Sequence, residues 1–358
     1  MSVKLFGSGI LALAVGLLVS NCASTGDPNV DEPMPVAARP ENSTAVITVS
    51  TGIPAFVNAS VDLAAHEAGP EKSWSDAIYV AARVTSGERK FGILVVVSSP
   101  RQGNPVLIVA VTDEVSGWHK KYESVIPRDE FQWDTTGLSI KAPGLIWSGN
   151  ANHMAIAITT PWGALDADLV ARGPSLNYAG TGYFLLLGAP IHEFALPAMS
   201  ITGALTIDGK GYPISGESWL DRQWGAIPDL SRGRWCWGNL SMPNGDKIVI
   251  WDTVIGNTEE AWATVLHPDG SYVLGAITPL AKDKPWTSPA SGQTYPTRWR
   301  FAIPSLDSYL TVAVTGPLDQ ELPLHPFYEG TAAFSGTYRG RKVTGLTYME
   351  MIGNWTAQ

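Results

Sequence analysis

Turn-forming residues divide this chain into many short segments, and these frequent turns limit the folds that the chain can adopt. The 358 residues include 36 Gly and 26 Pro, and the segments between them are rich in β-branched and apolar side chains. Before Gly182, no apolar pattern with helical spacing extends far enough to form a stable helix. We therefore predict an all-β protein built from many short, mostly antiparallel strands joined by turns.

The predicted strands form two groups along the chain. The first group comprises 76–85, 90–98, 106–113, 138–141, 145–147, 153–159 and 164–172, followed by 183–187 and 191–198. The second comprises 247–253, 262–267, 272–280, 298–303, 309–314, 328–338 and 342–351. Asn244-Gly245 and Asp269-Gly270 are typical of tight hairpin turns, so the second group suits an up-and-down barrel. A chain of this length is long for one core, which favours two domains.

Residues 211–237 concentrate charged and aromatic side chains in a chain of which only 16% is charged. The centre of this stretch reads Glu-Ser-Trp-Leu-Asp-Arg-Gln-Trp-Gly, from Glu217 to Gly225. In an extended strand, alternate residues share one face. The residues on one face are then Glu217, Trp219, Asp221 and Gln223. A face that is both acidic and aromatic is typical of a site where a polar group meets an apolar ligand.

The first 24 residues have the composition of a cleaved secretory signal peptide. Lys4 is their only charged side chain, and the apolar run 10–19 is too short for a comfortable transmembrane helix. A lipoprotein signal at Cys22 is an alternative, although Asn21 is a poor neighbour for a lipidated Cys. The polar, Pro-rich residues 25–44 predict a disordered linker. Four glycosylation sequons favour passage through the secretory pathway. Their acceptors are Asn42, Asn58, Asn239 and Asn354.

Charge and cysteine content exclude several classes of protein. The formal net charge of −9 argues against nucleic acid and anionic membranes as partners. One of the two Cys, Cys22, lies at the leader, so Cys236 has no partner for an intrachain disulfide. Its apolar flanks, Trp235 and Trp237, predict a buried, unreactive thiol. The six His show no metal-ligand spacing, and nucleotide-binding and serine-hydrolase motifs are absent, so we predict no metal or cofactor.

The run Asp221-Arg222-Gln223-Trp224-Gly225, with the hairpin-like 201–210 before it, resembles the lipocalin-like hydroxyneurosporene synthase and AttH superfamily. That superfamily includes kievitone hydratase-like proteins and fungal Diels–Alderases, and the resemblance begins at about Trp74. It implies two tandem β domains, an N-terminal β-sandwich domain at 45–215 and a C-terminal lipocalin-like barrel at 216–358. It also implies a ligand cavity between them and a reaction without a cofactor.

Aromatic residues are the second feature of interest, because the chain contains 14 Trp. Several of them near an acid-rich strand predict a large, rigid, apolar cavity suited to a polyketide-like or terpenoid-like substrate. Each one alone could equally be an ordinary core residue. The candidate substrate-binding residues are Trp219, Gln223, Trp224, Trp235, Trp237, Tyr183, Tyr178 and His192.

Two reactions and one binding role fit such a cavity. The leading hypothesis is a Diels–Alder-type cyclisation, in which the protein holds a linear polyene in a reactive shape and hydrogen-bonds a carbonyl. The first alternative is a hydratase of the kievitone hydratase type, which needs a carboxylic acid whose pKa is raised by burial. A non-catalytic carrier of an apolar ligand is the second alternative.

Glu217 and Asp221 are the candidate catalytic acids. Asp221 has an equally good structural interpretation, as an ion pair with its neighbour Arg222. Glu217 has no such partner in the sequence, and we therefore favour it as the catalytic carboxyl group.

Overall fold

The computed structural model describes residues 61–66, 69, 73–231, 233–322 and 326–356. The predicted signal peptide, the linker, the first domain's residues 45–60, and the sequons at Asn42 and Asn58 lie outside the described residues. No helix in the described part is long and apolar enough to cross a bilayer.

Two curled antiparallel sheets make up the described chain, which confirms the predicted all-β class. The first sheet contains β1(Trp74–Ser86), β2(Arg89–Pro100), β3(Val106–Asp113), β4(Trp118–Val125), β5(Gln132–Trp133), β6(Leu138–Ala142), β7(Leu145–Gly149), β8(His153–Thr160), β9(Gly163–Ala171), β10(Leu176–Asn177), β11(Tyr183–Leu186), β12(Ala189–Ile207) and β13(Lys210–Ala226). The second contains β14(Gly233–Ser241), β15(Lys247–Ile255), β16(Thr258–Leu266), β17(Tyr272–Ala276), β18(Thr278–Thr287), β19(Thr294–Ile303), β20(Ser308–Val314), β21(Glu321–Leu322), β22(Phe327–Tyr338) and β23(Arg341–Ile352). Single 3₁₀ turns occur at Arg128–Glu130, Tyr178–Gly180 and Pro304–Leu306.

The order of strands places the two longest strands at the centre of the first sheet. This order is β4-β3-β2-β1-β13-β12-β9-β8-β7-β6-β5, with β10 and β11 paired to β12. In the second sheet the order is β17-β16-β15-β14-β23-β22-β20-β19-β18, with β21 paired to β22. In each sheet, therefore, a strand early in the sequence pairs with one much later, as β1 does with β13 and β14 with β23.

Strand β13 is buried on both faces along its C-terminal half. Leu220 belongs to a core cluster inside the first sheet, whereas Trp219 belongs to a different cluster that joins both sheets. A third cluster fills the second sheet. Because alternate residues of β13 point to opposite faces, one face stabilises the first sheet and the other contacts the second.

The hairpin predicted at 201–210 forms the turn between β12 and β13. Asp208 and Gly209 have φ angles of 48° and 78°, the left-handed conformations that a tight Asp-Gly hairpin requires. After this turn, β13 continues to Ala226 with β1 and β12 paired on its two sides. The domain boundary predicted between residues 215 and 216 therefore falls inside one continuous strand, and the chain changes sheet between Ala226 and Gly233.

Strand β4 and the strand predicted at 272–280 are among the elements that differ from the sequence-based prediction. Strand β4 was not predicted, because Trp118–Val125 mixes Lys, His and Glu with aromatic residues and is only half-buried beside β3. The predicted strand 272–280 is divided at Ile277 into β17 and β18, which lie at opposite ends of the second sheet's strand order.

Gly92 marks a close approach between the two sheets. A Cβ atom at this position would overlap the Thr331 side-chain methyl on β22, and Thr331 is fully buried, with its hydroxyl donating to the Thr315 carbonyl oxygen at 2.9 Å. We expect Gly92→Ala to lower the free energy of unfolding by about 1–3 kcal/mol through overpacking. Urea denaturation measures the change.

Gly211→Ala is the matched control for that substitution. Gly211 also lies in a strand of the first sheet, but a Cβ there would meet no atom within 4 Å. Its unfolding free energy should stay within about 0.5 kcal/mol of the parent value. Equal losses in both variants would mean that glycine itself, and not the contact between sheets, is responsible.

Candidate functional site

A cavity of about 550 Å³ lies between the two sheets and is lined by residues from both. Most of its wall is apolar. Val96, Ile108 and Leu186 line one side, and the indoles of Trp235, Trp237 and Trp251 line the other. The segments 102–104 and 226–228 also line it, and exposed residues in both place its mouth there. The volume is that of a site for a small molecule.

Strand register brings the polar residues of the first sheet together. Asp221 of β13 lies opposite Tyr79 of β1, and Gln223 lies opposite Glu193 of β12. All four residues line the cavity. The Gln223 amide Nε2 donates a hydrogen bond to Glu193 Oε2 at 3.2 Å, which orients that carboxyl group.

Asp221 is held by two neutral donors on the same oxygen atom. Trp219 Nε1 donates to Asp221 Oδ1 at 2.7 Å, and the Tyr178 hydroxyl donates to the same Oδ1 at 2.8 Å. Tyr178 also accepts a hydrogen bond from Trp237 Nε1 at 3.0 Å, so its single hydroxyl proton is directed at Asp221. With Oδ1 occupied in this way, Oδ2 is the oxygen that carries the proton when Asp221 is neutral.

Burial favours the neutral form of the two cavity acids of the first sheet, Asp221 and Glu193. Loss of hydration raises the pKa of Asp221 to about 8, against the lowering effect of the Trp219 and Tyr178 hydrogen bonds. Burial also raises the pKa of Glu193 well above its ordinary value, and the nearby Asp221 raises it further. Asp221 is therefore a protonated, hydrogen-bonding acid near neutral pH.

The second sheet contributes two more carboxyl groups to the same cavity. Glu329 of β22 and Glu350 of β23 lie directly opposite each other, and both line the cavity. The Tyr79 hydroxyl donates to Glu329 Oε2 at 3.4 Å, and Trp235 Nε1 donates to Glu350 Oε1. Burial raises the pKa of both groups, and the charge of Glu350 raises that of Glu329 further.

Seven of the ten residues proposed from the sequence lie at or behind this cavity. Those that line it are Asp221, Gln223, Trp224, Trp235 and Trp237. Trp219 is buried behind Asp221, and Tyr178 takes the same supporting position from the 3₁₀ turn. These two residues orient Asp221, and neither forms the cavity wall.

Glu217 lies elsewhere, although it was the favoured acid. Its side chain is 77% exposed and lies 3.9 Å from Lys247 Nζ, in a separate groove that it shares with Arg172 and His267. Alternation places Glu217 on the same face of β13 as Asp221, but the strand has passed beyond the cavity at that point. Glu217 is therefore outside the cavity wall and does not reach a ligand bound between the sheets.

Tyr183 and His192 also lie outside the cavity wall. Their rings contact each other at a tilt of 54° on the exposed side of β11 and β12, with ring centroids 5.0 Å apart. His192 stacks in turn on Trp224 at 5.4 Å, and His66 stacks on Trp224 at 4.1 Å. Trp224 therefore separates the cavity from a pair of histidine rings.

Arg222 pairs with a residue other than Asp221, which rules out the alternative interpretation of Asp221 as half of a sequence-adjacent ion pair. The Arg222 side chain is fully buried on the opposite face of β13, where it forms a salt bridge with Asp76. Adjacent residues of a strand point in opposite directions. Among the residues that the structure describes, Asp221 therefore has no cationic neighbour to hold it ionised.

The remaining predicted positions have mixed outcomes. Asn239 is 9% exposed, and its Oδ1 accepts a hydrogen bond from the Tyr348 backbone N–H at 3.0 Å, so a glycan has no room there in the folded protein. Asn354 is exposed, and its glycosylation stays a prediction.

Cys236 is a buried free thiol, as predicted, and burial raises its pKa well above the usual value. Within the described residues, no group of three or more potential ligands could hold a metal ion.

Sequence reasoning missed four of the cavity's polar residues, namely Tyr79, Glu193, Glu329 and Glu350. A local signal for the last of these exists, because Glu350 stands between Met349 and Met351 in an otherwise apolar strand. An isolated acid in such a setting is either paired or functional. Which acids share a cavity depends on strand pairing, which the sequence alone did not reveal.

Comparison with known proteins identifies the fold. A family model described as AttH-like matches residues 127–354. A crystal structure of kievitone hydratase from Nectria haematococca is 22% identical, with a TM-score of 0.70 over 87% of this chain and 98% of that chain. A putative AttH from Nitrosomonas europaea is 17% identical, with a TM-score of 0.68 over 78% of this chain and 92% of that chain.

A third solved structure contains a bound small molecule. CghA with Sch210972 is 11% identical, with a TM-score of 0.54 over 83% of this chain and 96% of that chain. No curated protein sequence matches this chain significantly. At these identities, the three structures establish a shared fold.

Proposed function

This chain belongs to the AttH-like family, and from that premise we propose that it is an enzyme that adds water to a carbon–carbon double bond of a small, largely apolar substrate. Asp221 serves as the general acid. The cavity between the sheets holds the substrate, and its apolar walls fit a hydrocarbon skeleton better than a sugar or a nucleotide.

The state of Asp221 carries this proposal. Protonation of an alkene needs an acid that keeps its proton at neutral pH yet contacts the substrate. Asp221 meets both requirements, because burial raises its pKa to about 8 and it lines the cavity. The two donors on Oδ1 fix the orientation of the carboxyl group, so the acidic proton has one available oxygen.

The reaction follows from this arrangement. The O–H bond at Asp221 breaks as the alkene takes the proton, and a C–H bond forms at one carbon while the other becomes cationic. A water molecule then forms a C–O bond to the cationic carbon, and its surplus proton returns to the Asp221 carboxylate. The net change is the addition of one water. The indoles of Trp235 and Trp237 line the cavity, and an aromatic ring stabilises positive charge that develops over its face.

The shared fold with kievitone hydratase supports hydration as chemistry for such a cavity. Cyclisation, the leading hypothesis from the sequence, is the second candidate, supported by the fold shared with CghA. A neutral Asp221 can donate its O–H to a substrate carbonyl and so activate an intramolecular addition, while the apolar walls hold a folded chain. Abundant carboxyl groups, however, suit proton transfer more than shape selection alone.

Product mass separates the candidates. The purified protein is incubated with alkene-bearing aromatic and polyene compounds in ordinary and ¹⁸O-labelled water. Hydration predicts a product heavier by one water that carries the ¹⁸O label. An isomeric product without the label would instead support cyclisation, and saturable binding without any product would support a carrier.

A further inference from the structure

A continuous row of side chains crosses the second sheet along one wall of the cavity. Trp251 of β15 lies opposite Trp237 of β14, Trp237 lies opposite Glu350 of β23, and Glu350 lies opposite Glu329 of β22. Directly opposite residues project to the same face at about 5 Å spacing. All four line the cavity. We call this set, Trp251, Trp237, Glu350 and Glu329, the indole–carboxyl row.

The row has acidic groups without a counter-charge. Among the described residues that line the cavity, none is Lys, Arg or His. The hydrogen-bond donors to the two glutamates are neutral: the Trp235 indole donates to Glu350, the Tyr79 hydroxyl donates to Glu329, and the Glu329 carboxyl group donates to Glu350. The ionisable groups that face the row from the first sheet are Asp221, Glu193 and Tyr79. Within the second sheet, Tyr348 is close to Glu329 and the Cys236 thiol is close to Glu350. A cation brought to the row would therefore meet only acids and phenols.

The row also contains an unused donor. Trp251 is 2% exposed, and its Nε1 has no hydrogen-bond partner among the described residues. A buried indole N–H without a partner costs free energy in the unliganded protein. An acceptor atom on the apolar skeleton of a ligand would remove that cost if it reached this N–H.

We propose that the indole–carboxyl row recognises a substrate carrying a positively charged nitrogen, such as an ammonium or an N-heterocyclic cation, on an otherwise apolar skeleton. This inference rests on the proposed function, since it names the substrate class of the same cavity. Asp221 on the first sheet transfers the proton, and the second sheet holds the charge.

Two attractive interactions hold a cation at the row, namely charge attraction to the glutamates and cation–π attraction to the indoles. Glu329 and Glu350 hydrogen-bond to each other in the unliganded protein. A cation beside them favours the ionised form, so that the pair releases a proton to solvent and becomes an ion-pair partner. The indole faces of Trp237 and Trp251 add a cation–π attraction, which is strongest where water is excluded. A neutral molecule of the same shape gains only the burial of apolar surface.

A matched pair of probes tests the proposal on the full chain. Benzyltrimethylammonium and 2,2-dimethylpropylbenzene have the same shape and differ in a nitrogen cation for a carbon atom. Isothermal titration calorimetry at pH 8 should show at least tenfold tighter binding of the ammonium compound, and phenylacetate should not compete. Equal or weaker binding of the ammonium compound, including no binding, overturns the proposal.

Two variants locate the charge preference. Glu350→Gln keeps the size of the side chain and an acceptor for Trp235, and it should abolish the tenfold preference. Glu329→Gln gives the same readout if the first variant does not fold. Glu217→Gln removes an equal charge outside the cavity and should keep the preference. A preference unchanged by both row variants, or lost equally in the control, would contradict the assignment to the row.

Neither probe contains an alkene that can be hydrated, so the binding result does not depend on turnover. Tighter binding of the neutral probe in the titration would refute the cationic substrate class, and it would not affect the conclusion of the hydration assay. If the protein strongly prefers the ammonium probe but hydrates no alkene, the proposed hydration is refuted and the cationic ligand class is retained.

Discussion

Replacing Asp221 by Asn should lower the turnover number about 10²–10⁴-fold, because the variant loses the general acid. The amide oxygen of Asn still accepts the hydrogen bonds that Trp219 and Tyr178 donate to Oδ1, so the local geometry should persist. The amide has no proton acidic enough to transfer to an alkene. Steady-state kinetics on the alkene substrate, with circular dichroism to verify the fold, measures the effect.

Glu217→Gln is the control for this substitution. It changes the other acid of the same strand, which is exposed and outside the cavity, and turnover should stay at the parent level. Retention of more than about a tenth of the parent rate by Asp221→Asn would assign the acid role to another group.

The same substitution should change how stability depends on pH. The pKa of Asp221 rises on folding from an ordinary value near 4 to about 8, so between these pH values the folded state binds a proton that the unfolded state has lost. The free energy of unfolding contributed by this group is therefore fully present below pH 4 and declines as pH rises to about 8. Urea denaturation at pH 5 and pH 8.5 should show a smaller decline for Asp221→Asn than for the parent.

Replacing Arg222 by Met should lower the free energy of unfolding by about 3–5 kcal/mol, because it removes the guanidinium that pairs with the buried Asp76 carboxylate. Arg222 is fully buried and pairs with Asp76, and its guanidinium also donates to the Ala77 carbonyl oxygen at 3.0 Å. The same group lies over the Trp133 ring at 4.4 Å. Urea denaturation followed by circular dichroism measures the loss.

Two variants control for this effect. Arg298→Met breaks a salt bridge to Asp283 in which both side chains are about one-third exposed, and it should cost only about 0–1 kcal/mol. Asp76→Asn combined with Arg222→Met removes the unpaired charge and should recover part of the loss. An Arg222→Met variant no less stable than Arg298→Met would show that the buried pair contributes little.

The strand content and the central motif could be predicted because both depend on local pattern. Runs of β-branched residues between turn formers marked most strands, and Asp208-Gly209 formed the turn of the predicted hairpin. Alternation along β13 placed Asp221 and Gln223 on the face that meets the second sheet. It also placed Glu217 there, because alternation determines which face a residue occupies and does not determine how far along the strand the cavity extends.

The rest of the site could not be predicted because it depends on pairing between distant strands. Tyr79 meets Asp221 only because β1 pairs with β13, and Glu329 meets Glu350 only because β22 pairs with β23. The partner of Arg222 was missed for the same reason. Asp76 faces it from β1, whereas the sequence offered only the adjacent Asp221.

These long-range pairings also determine the order in which the protein can be assembled on the ribosome. Strand β1 lacks one of its two neighbours until residues near Ala226 have been synthesised, and β14 waits in the same way for β23. Sheets closed by such distant segments fold slowly and leave open edges on the nascent chain. Because β13 carries Asp221 and β23 carries Glu350, the cavity acquires its acids only in the final closing steps, and an incomplete chain is a candidate for chaperone binding before it can be an enzyme.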